Sequence, residues 1–278
     1  MNKRGRDRSF SPCNFFPKNR RGQITIFIIL GLIVVGAAVL VYFLYPQIKS
    51  TFFGTTDPSG FIQTCMEDKI KETVQKISLQ GGSVSPGLSF PYYNEELNKL
   101  YHVEYLCYTN KYQQPCVMQQ PLLQGHMINE IKTEIGPIAA ECFRQLKESY
   151  ERRGYSANLI EGSTVVDILP DRVVVTFNKE FTITKGESQR YEQFSVLVNN
   201  NLYELSAIAN SILNWESNPD YGDAPTQIYM ANYHNLIVEK KEQTDGTKVY
   251  ILTDLNTNDI FQFATRSFAA PGGYGWTG

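Results

Sequence analysis

Hydrophobic and polar positions divide this chain into stretches of different period. Ile24–Tyr45 is a 22-residue apolar run, and no charge occurs between Arg21 and Lys49. At about 1.5 Å per residue, a helix there is about 33 Å long, enough to cross a hydrocarbon core of about 30 Å. A helix satisfies its own backbone groups, as lipid demands. Next, Phe61, Ile62, Cys65, Met66, Ile70, Val74 and Ile77 recur near every 3.6 residues, after Asp57-Pro58 as a helix start and before Gly81-Gly82 as a stop. Residues 83–94 read as loop or edge structure. A second amphipathic stretch runs from about Leu122 to Arg152, through Ile128, Ile131, Ile135, Ala139, Cys142, Leu146 and Tyr150. Gly136-Pro137 predicts a kink or split within it, because proline removes one backbone bond and crowds the preceding turn.

Beyond Gly154 the period becomes two. Thr164–Leu169, Arg172–Asn178, Lys179–Thr184 and Tyr191–Val198 predict an antiparallel meander with turns at Pro170-Asp171 and Lys185-Gly186-Glu187. Asn201-Leu-Tyr-Glu204 resembles a capping box opening a helix along Leu202, Leu205, Ala209, Ile212 and Trp215. Asn218–Asp223 is a turn cluster, with Asp220 and Asp223 as turn and cap residues, and 226–233 a short helix. Leu236–Glu242 and Thr247–Asp254 flank Asp245-Gly246, the strongest hairpin signal, and Ile260–Arg266 adds a strand. The pattern predicts an α+β fold: a transmembrane helix, then an ectodomain of amphipathic helices on a mostly antiparallel sheet. Its segments are a basic cytoplasmic or removed piece (1–22), the membrane helix (23–48), a linker (49–57), the extracytoplasmic domain (58–268) and a loose Gly-rich tail (269–278).

Charge orients this layout. Residues 1–22 carry seven Lys and Arg against Asp7 alone, net +6; the rest carries 19 basic and 27 acidic side chains, net −8. Basic residues beside a first membrane helix stay cytoplasmic, so the acidic domain is expected outside, with a single-pass anchor in the cell membrane. The negative domain also argues against nucleic-acid partners. A cleaved secretory signal is disfavoured by the length of the apolar run.

Arg20-Arg21-Gly22-Gln23, with Thr25 and an immediate apolar helix, resembles the class III signal peptides of archaeal type IV pilin-like proteins. That resemblance implies a prepilin peptidase partner and cleavage between Gly22 and Gln23. The family usually has Glu at the fifth mature position, where Phe27 stands here, so the usual charge contact inside a filament core is missing while anchoring is untouched. Together with Cys65, Leu79-Gln80-Gly81-Gly82 and Thr182-Ile183-Thr184-Lys185-Gly186, the anchor is similar to single-pass surface proteins of small-genome archaea. This likeness implies a location and no activity.

Cys13 lies before the anchor, and Cys65, Cys107, Cys116 and Cys142 lie beyond it. An even number in an exterior compartment suits disulfides. Four cysteines allow three pairings; a short loop favours Cys107 with Cys116, and two packed helices favour Cys65 with Cys142. Zinc fits less well, since 107 and 116 are too widely spaced for a Cys-x-x-Cys knuckle. No cofactor, metal or catalytic set is expected: phosphate loops, nucleophile elbows and His-Glu-x-x-His are missing. His102-Val-Glu104 reads as a surface pair. A hydrolase would need His102, His126 or His234 beside a nucleophile or carboxylate. Asp254-Leu-Asn256-Thr-Asn258-Asp259 imitates the front of a calcium loop, but Asp259 replaces the turn Gly and Thr265 the bidentate Glu. Tyr92, Tyr93, Tyr101, Tyr105, Tyr108 and Tyr112 form a candidate partner surface, with packing beneath loops the commoner explanation. No N-glycosylation sequon occurs. The expected function is adhesion, cell contact or envelope assembly through a protein or cell-surface partner; the alternative is a tethered ligand-binding or sensor domain.

Overall fold

The computed structural model describes residues 29–35 and 57–271. Residues 29–35 are helical and exposed, and they belong to a unit separate from Asp57–Gly278. The rest of the expected membrane helix, Cys13, the processing pair Gly22 and Gln23, and most of the expected tail lie outside the described residues. Among the described residues no helix is long and apolar enough to cross a membrane.

The larger unit is α+β. Helix α1, Pro58–Leu79, starts where Asp57 accepts from the Gly60 N–H at 3.1 Å, with Pro58 in the first turn. It stops at Gln80, and the Gly82 N–H reaches back to Ile77 O at 2.7 Å. Its buried stripe Ile62, Met66, Ile70, Val74, Ile77 packs on α2, Leu123–Arg152. Of the kink or split expected at Gly136-Pro137, the split does not occur: α2 is one 30-residue helix with Pro137 inside it. Proline orphans only the Thr133 carbonyl. Both residues are exposed, so water can serve that carbonyl, while Ile131, Ile135 and Ala139 keep one buried stripe across the site. Cys65 of α1 is bonded to Cys142 of α2, Cα atoms 6.1 Å apart, closing a separation of 77 residues.

The predicted meander is present but broken along a line. Strands β4 (Ser156–Ile160) and β5 (Thr164–Leu169) pair with β7 (Glu180–Lys185) and β6 (Arg172–Phe177), and β8 (Glu187–Tyr191) and β9 (Phe194–Asn199) pair with β7 and β6 from the other side. Three long arms, 156–169, 172–185 and 187–199, therefore run antiparallel. Interruptions at 161–163, 178–179 and 192–193 divide them into sheets β4-β7-β8 and β5-β6-β9. Reading 172–178 and 179–184 as neighbouring strands is thus corrected: they are successive parts of one arm. At the break the Asn178 N–H donates to Ser163 O at 2.9 Å, and a Cβ on Gly162 would collide with the Asn178 carbonyl, so only glycine fits this approach.

The third and largest sheet among the described residues has the order β1-β2-β12-β11-β10, from Ser89–Asn94 (β1), Lys99–Tyr108 (β2), Ile260–Arg266 (β12), Thr247–Asp254 (β11) and Leu236–Glu242 (β10), with β3 (Val117–Met118) also on β2. All pairs are antiparallel except β2 with β12. Pro91 sits on edge strand β1, where a missing donor is tolerated. Helices α3 (Leu202–Ser217) and α4 (Thr226–Asn232) complete the unit. The capping box expected at α3 is not made: Asn200 Oδ1 takes the Leu202 N–H, Asn201 Nδ2 donates to Asp254, and Glu204 Oε2 has no partner among the described residues. Alternation along β11 sends Tyr250 and Leu252 to the main core and Val249 and Ile251 to a second, smaller cluster.

Candidate functional site

The second cluster accounts for four of the six candidate tyrosines. Tyr92, Tyr101, Tyr105 and Tyr108 pack with Phe90, Val103, Val249, Ile251, Ile260 and Ala264. Tyr105 OH is 2.7 Å from Thr247 Oγ1, and its ring meets Tyr108 edge-on at 5.0 Å. Burial raises the Tyr92, Tyr101 and Tyr105 phenols above their ordinary value. Tyr93 and Tyr112 stand apart, each 51% exposed; Tyr93 OH donates to Asn98, and Tyr112 carries the Arg266 guanidinium 5.4 Å over its ring. The six residues do not form one exposed face.

Cys107 and Cys116 are bonded, Cα atoms 5.3 Å apart. Their loop is strapped to the segment after β12: Thr109 N–H to Arg266 O at 3.0 Å, Gln113 N–H to Ala269 O at 3.0 Å, and Phe268 N–H to Gln114 O at 2.8 Å. Behind it lies a buried charge network. Glu216, on α3, is wholly buried and accepts from Lys248 Nζ with both oxygens at 2.9 Å, from Tyr250 OH at 2.6 Å and from the Ala224 N–H at 3.3 Å. Lys248 also donates to Asp223 at 2.9 Å, and Asp223 takes Lys240 at 2.7 Å. Asp223 is therefore an ion-pair residue and not the expected cap. Burial pushes the Asp223 carboxyl up, but bonds from Lys240 and Lys248 outweigh it and leave it below the ordinary value. Burial likewise works against the Lys240 ammonium, and Asp223 overcomes it, leaving that group raised. The Tyr250 phenol is pushed up by burial and by the adjoining Glu216 carboxylate.

Over this network opens a cavity of about 970 Å³. Turn 219–223 forms one wall, the hairpin end 242–248 another, and residues 267–271 with Gln113 the third. Tyr221 is 62% exposed, and its ring is backed by Trp215 at a centroid distance of 4.5 Å. Phe268 lies against Gly222, where a Cβ would come within 2.8 Å of the ring.

A second polar cluster joins three elements. Ser83, after α1, is 3% exposed and bridges Glu104 of β2 and His126 of α2; its Oγ bonds the Glu104 carboxylate and lies 2.7 Å from His126 Nε2. Nearby Glu130 accepts the Val84 N–H at 2.7 Å. Burial raises the Glu104 carboxyl above its ordinary value, against the opposing pull of Ser83 and His126. When Glu104 is ionised, Ser83 donates to it and accepts from His126 Nε2–H. His126 is thus the histidine that meets a hydroxyl, with a carboxylate on that hydroxyl's other side, while His102 and His234 are exposed; the expected surface pair His102-Val-Glu104 is corrected, since Glu104 is buried against Ser83.

The calcium-like segment is spoken for by the chain. Asp254 accepts from Asn201 Nδ2 and from the Asn256 and Thr257 N–H groups, and Asp259 from Asn200 Nδ2 and the Asn201 N–H. No group of three metal-ligating side chains occurs among the described residues. The Glu216–Lys248 pair was not anticipated. Its signal is a charge on an apolar stripe: Glu216 follows Leu205, Ala209 and Ile212, and Lys248 precedes Tyr250 and Leu252 on the inward face of β11. No family model, curated protein or solved structure matches the chain.

Proposed function

We propose that this chain is a single-pass, pilin-like cell-surface protein whose disulfide-bonded α+β ectodomain works by contact, in adhesion, cell contact or envelope assembly. The observation that carries the reading is the pairing of all four cysteines beyond the apolar run, Cys65 with Cys142 and Cys107 with Cys116, the chemistry of an oxidising exterior. The basic segment 1–22 stays in the cytoplasm, a prepilin peptidase cuts after Gly22, and Gln23 begins the membrane helix. No catalytic role is assigned: Ser83 lies buried, and its oxygen is held between Glu104 and His126. Mass spectrometry of the mature terminus and protease shaving of intact cells test this. The expected results are Gln23 as first residue and loss of the ectodomain to external protease; protection of the ectodomain in intact cells refutes surface exposure.

A second reading, a membrane-tethered ligand-binding domain, is favoured by the cavity at Tyr221, whose volume is that of small-molecule sites.

A further inference from the structure

The cavity has an apolar wall, a polar rim and a charge balance that together narrow its ligand. The wall is aromatic. Tyr221 presents a largely exposed ring, fixed from behind by Trp215, and Phe268 is held against Gly222. Rings braced in this way offer contact area without much ordering cost on binding. The rim carries side-chain groups with no hydrogen bond among the described residues: the Asp220 carboxylate, the Gln113 side-chain amide, the Thr244 hydroxyl and the Tyr221 hydroxyl. A purely apolar ligand would strip water from these groups and leave them unpaired, which is costly.

The charge balance disfavours anions. Asp220, Asp223 and Glu242 line the cavity with Lys248, whose ammonium is already taken by both Glu216 oxygens and by Asp223, and Lys240, outside the lining, is taken by Asp223 and Glu242, so Asp220 is left without an ion-pair partner among the described residues. An anionic ligand would meet carboxylates and find no free positive group. The wall made by Gln113 and residues 267–271 is preset, because the Cys107–Cys116 bond and the straps Gln113–Ala269 and Gln114–Phe268 hold it.

A pyranose ring meets these requirements. One face presents C–H groups to an aromatic ring, and its edge presents hydroxyls that both donate to carboxylates and exchange bonds with amides. We infer that the cavity between Tyr221 and Phe268 binds neutral carbohydrate, with Tyr221 stacking on the sugar face and Asp220 and Gln113 bonding its hydroxyls. The inference rests on the ligand-binding reading of the cavity. It fits a surface protein whose contact partner carries glycans, although free oligosaccharide has the same chemistry.

The test uses the full chain with Trp276→Phe, so that Trp215 alone reports, in a detergent without a sugar headgroup. Neutral gluco-, manno- and galacto-oligosaccharides, uronate-containing counterparts, a linear diamine and immobilised neutral polysaccharides are compared. Saturable binding of a neutral sugar is expected, weakened about tenfold or more by Tyr221→Ala and by Asp220→Asn, and unmoved by Tyr93→Ala. Tyr221→Phe keeps the ring and should keep most of the affinity, which guards against a simple folding defect. Binding of both free and immobilised sugar supports the site and places no demand on chain length; binding to immobilised polysaccharide alone supports it with an extended surface glycan as the source. Binding of none of the neutral sugars, equal or tighter binding of uronates, binding of the diamine only, or indifference to Tyr221→Ala overturns the inference. Because the assay uses purified protein, its failure is separate from failure of the surface-location reading, which cell shaving measures.

Discussion

Glu104 and Glu216 are both carboxylates withdrawn from solvent, 8% and 0% exposed, yet they are neutralised by different means. Glu216 meets a full positive charge: Lys248 reaches both its oxygens, and Asp223 and Lys240 extend the pair into alternating charges. Glu104 meets a hydroxyl, with His126 one step further away. At Glu104 the bonds from the Ser83 hydroxyl and the Gln120 side chain do not make up for the lost hydration, so burial wins and its carboxyl is raised. The first arrangement sets an ammonium directly against the carboxylate; the second sets a hydroxyl there.

Removing the charge from the first network is the strongest way to break this contrast. Lys248→Met leaves Glu216 buried and unpaired and should cost about 3–5 kcal/mol in urea unfolding. Adding Glu216→Leu should recover most of that loss, since the isolated carboxylate carries the penalty. A smaller effect is expected from opening the nearby disulfide. Cys107→Ser with Cys116→Ser releases a short loop, worth about 2.5 kcal/mol by chain entropy. Because Cys116 N–H bonds Ser267 Oγ, and Ser267 bonds the Glu216 carbonyl, faster amide exchange should appear around Glu216 and not around Ser83.

On the other side, Ser83→Ala removes the bridge and should cost about 1–2 kcal/mol near neutral pH, measured by urea unfolding. The smallest and most diagnostic effects are the pH responses. Glu104 has a raised folded value, so its contribution is fully present below the ordinary carboxylate range and fades as pH rises through the raised value; Glu104→Gln should flatten that part of a melting-temperature profile. Asp223 has a lowered value, so its contribution is present above the ordinary range and fades as pH falls through the folded value; Asp223→Asn should flatten the acid limb instead. If both variants altered the same limb, the contrast between the networks would be lost.

Local signals carried much of the fold. Strands β10 and β11 have the bounds predicted from the Asp245-Gly246 turn, where Thr247 N–H bonds Asp245 and Gly246 takes φ +82°. The cysteine pairing followed from Cys65 and Cys142 riding the apolar sides of two helices. What failed needed non-local knowledge. Strand β4, Ser-Ala-Asn-Leu-Ile, lacks β-branched residues until its end and is a strand because β7 pairs with it. Tyr191–Val198 looked continuous, but Glu192 and Gln193 fall on the break shared by all three arms. The cavity was illegible because it gathers Gln113, turn 219–223, hairpin end 242–248 and 267–271 from distant parts of the chain.

The parallel pairing of β2 with β12 has a consequence for how the protein is made. Tyr105 waits for Ala264, a partner much later in the sequence, before the five-strand path can close. A polypeptide delivered from its N-terminus therefore keeps its larger sheet open until β12 has emerged. A product stopped before Ile260 should stay protease-sensitive throughout this half, however well its helices have formed.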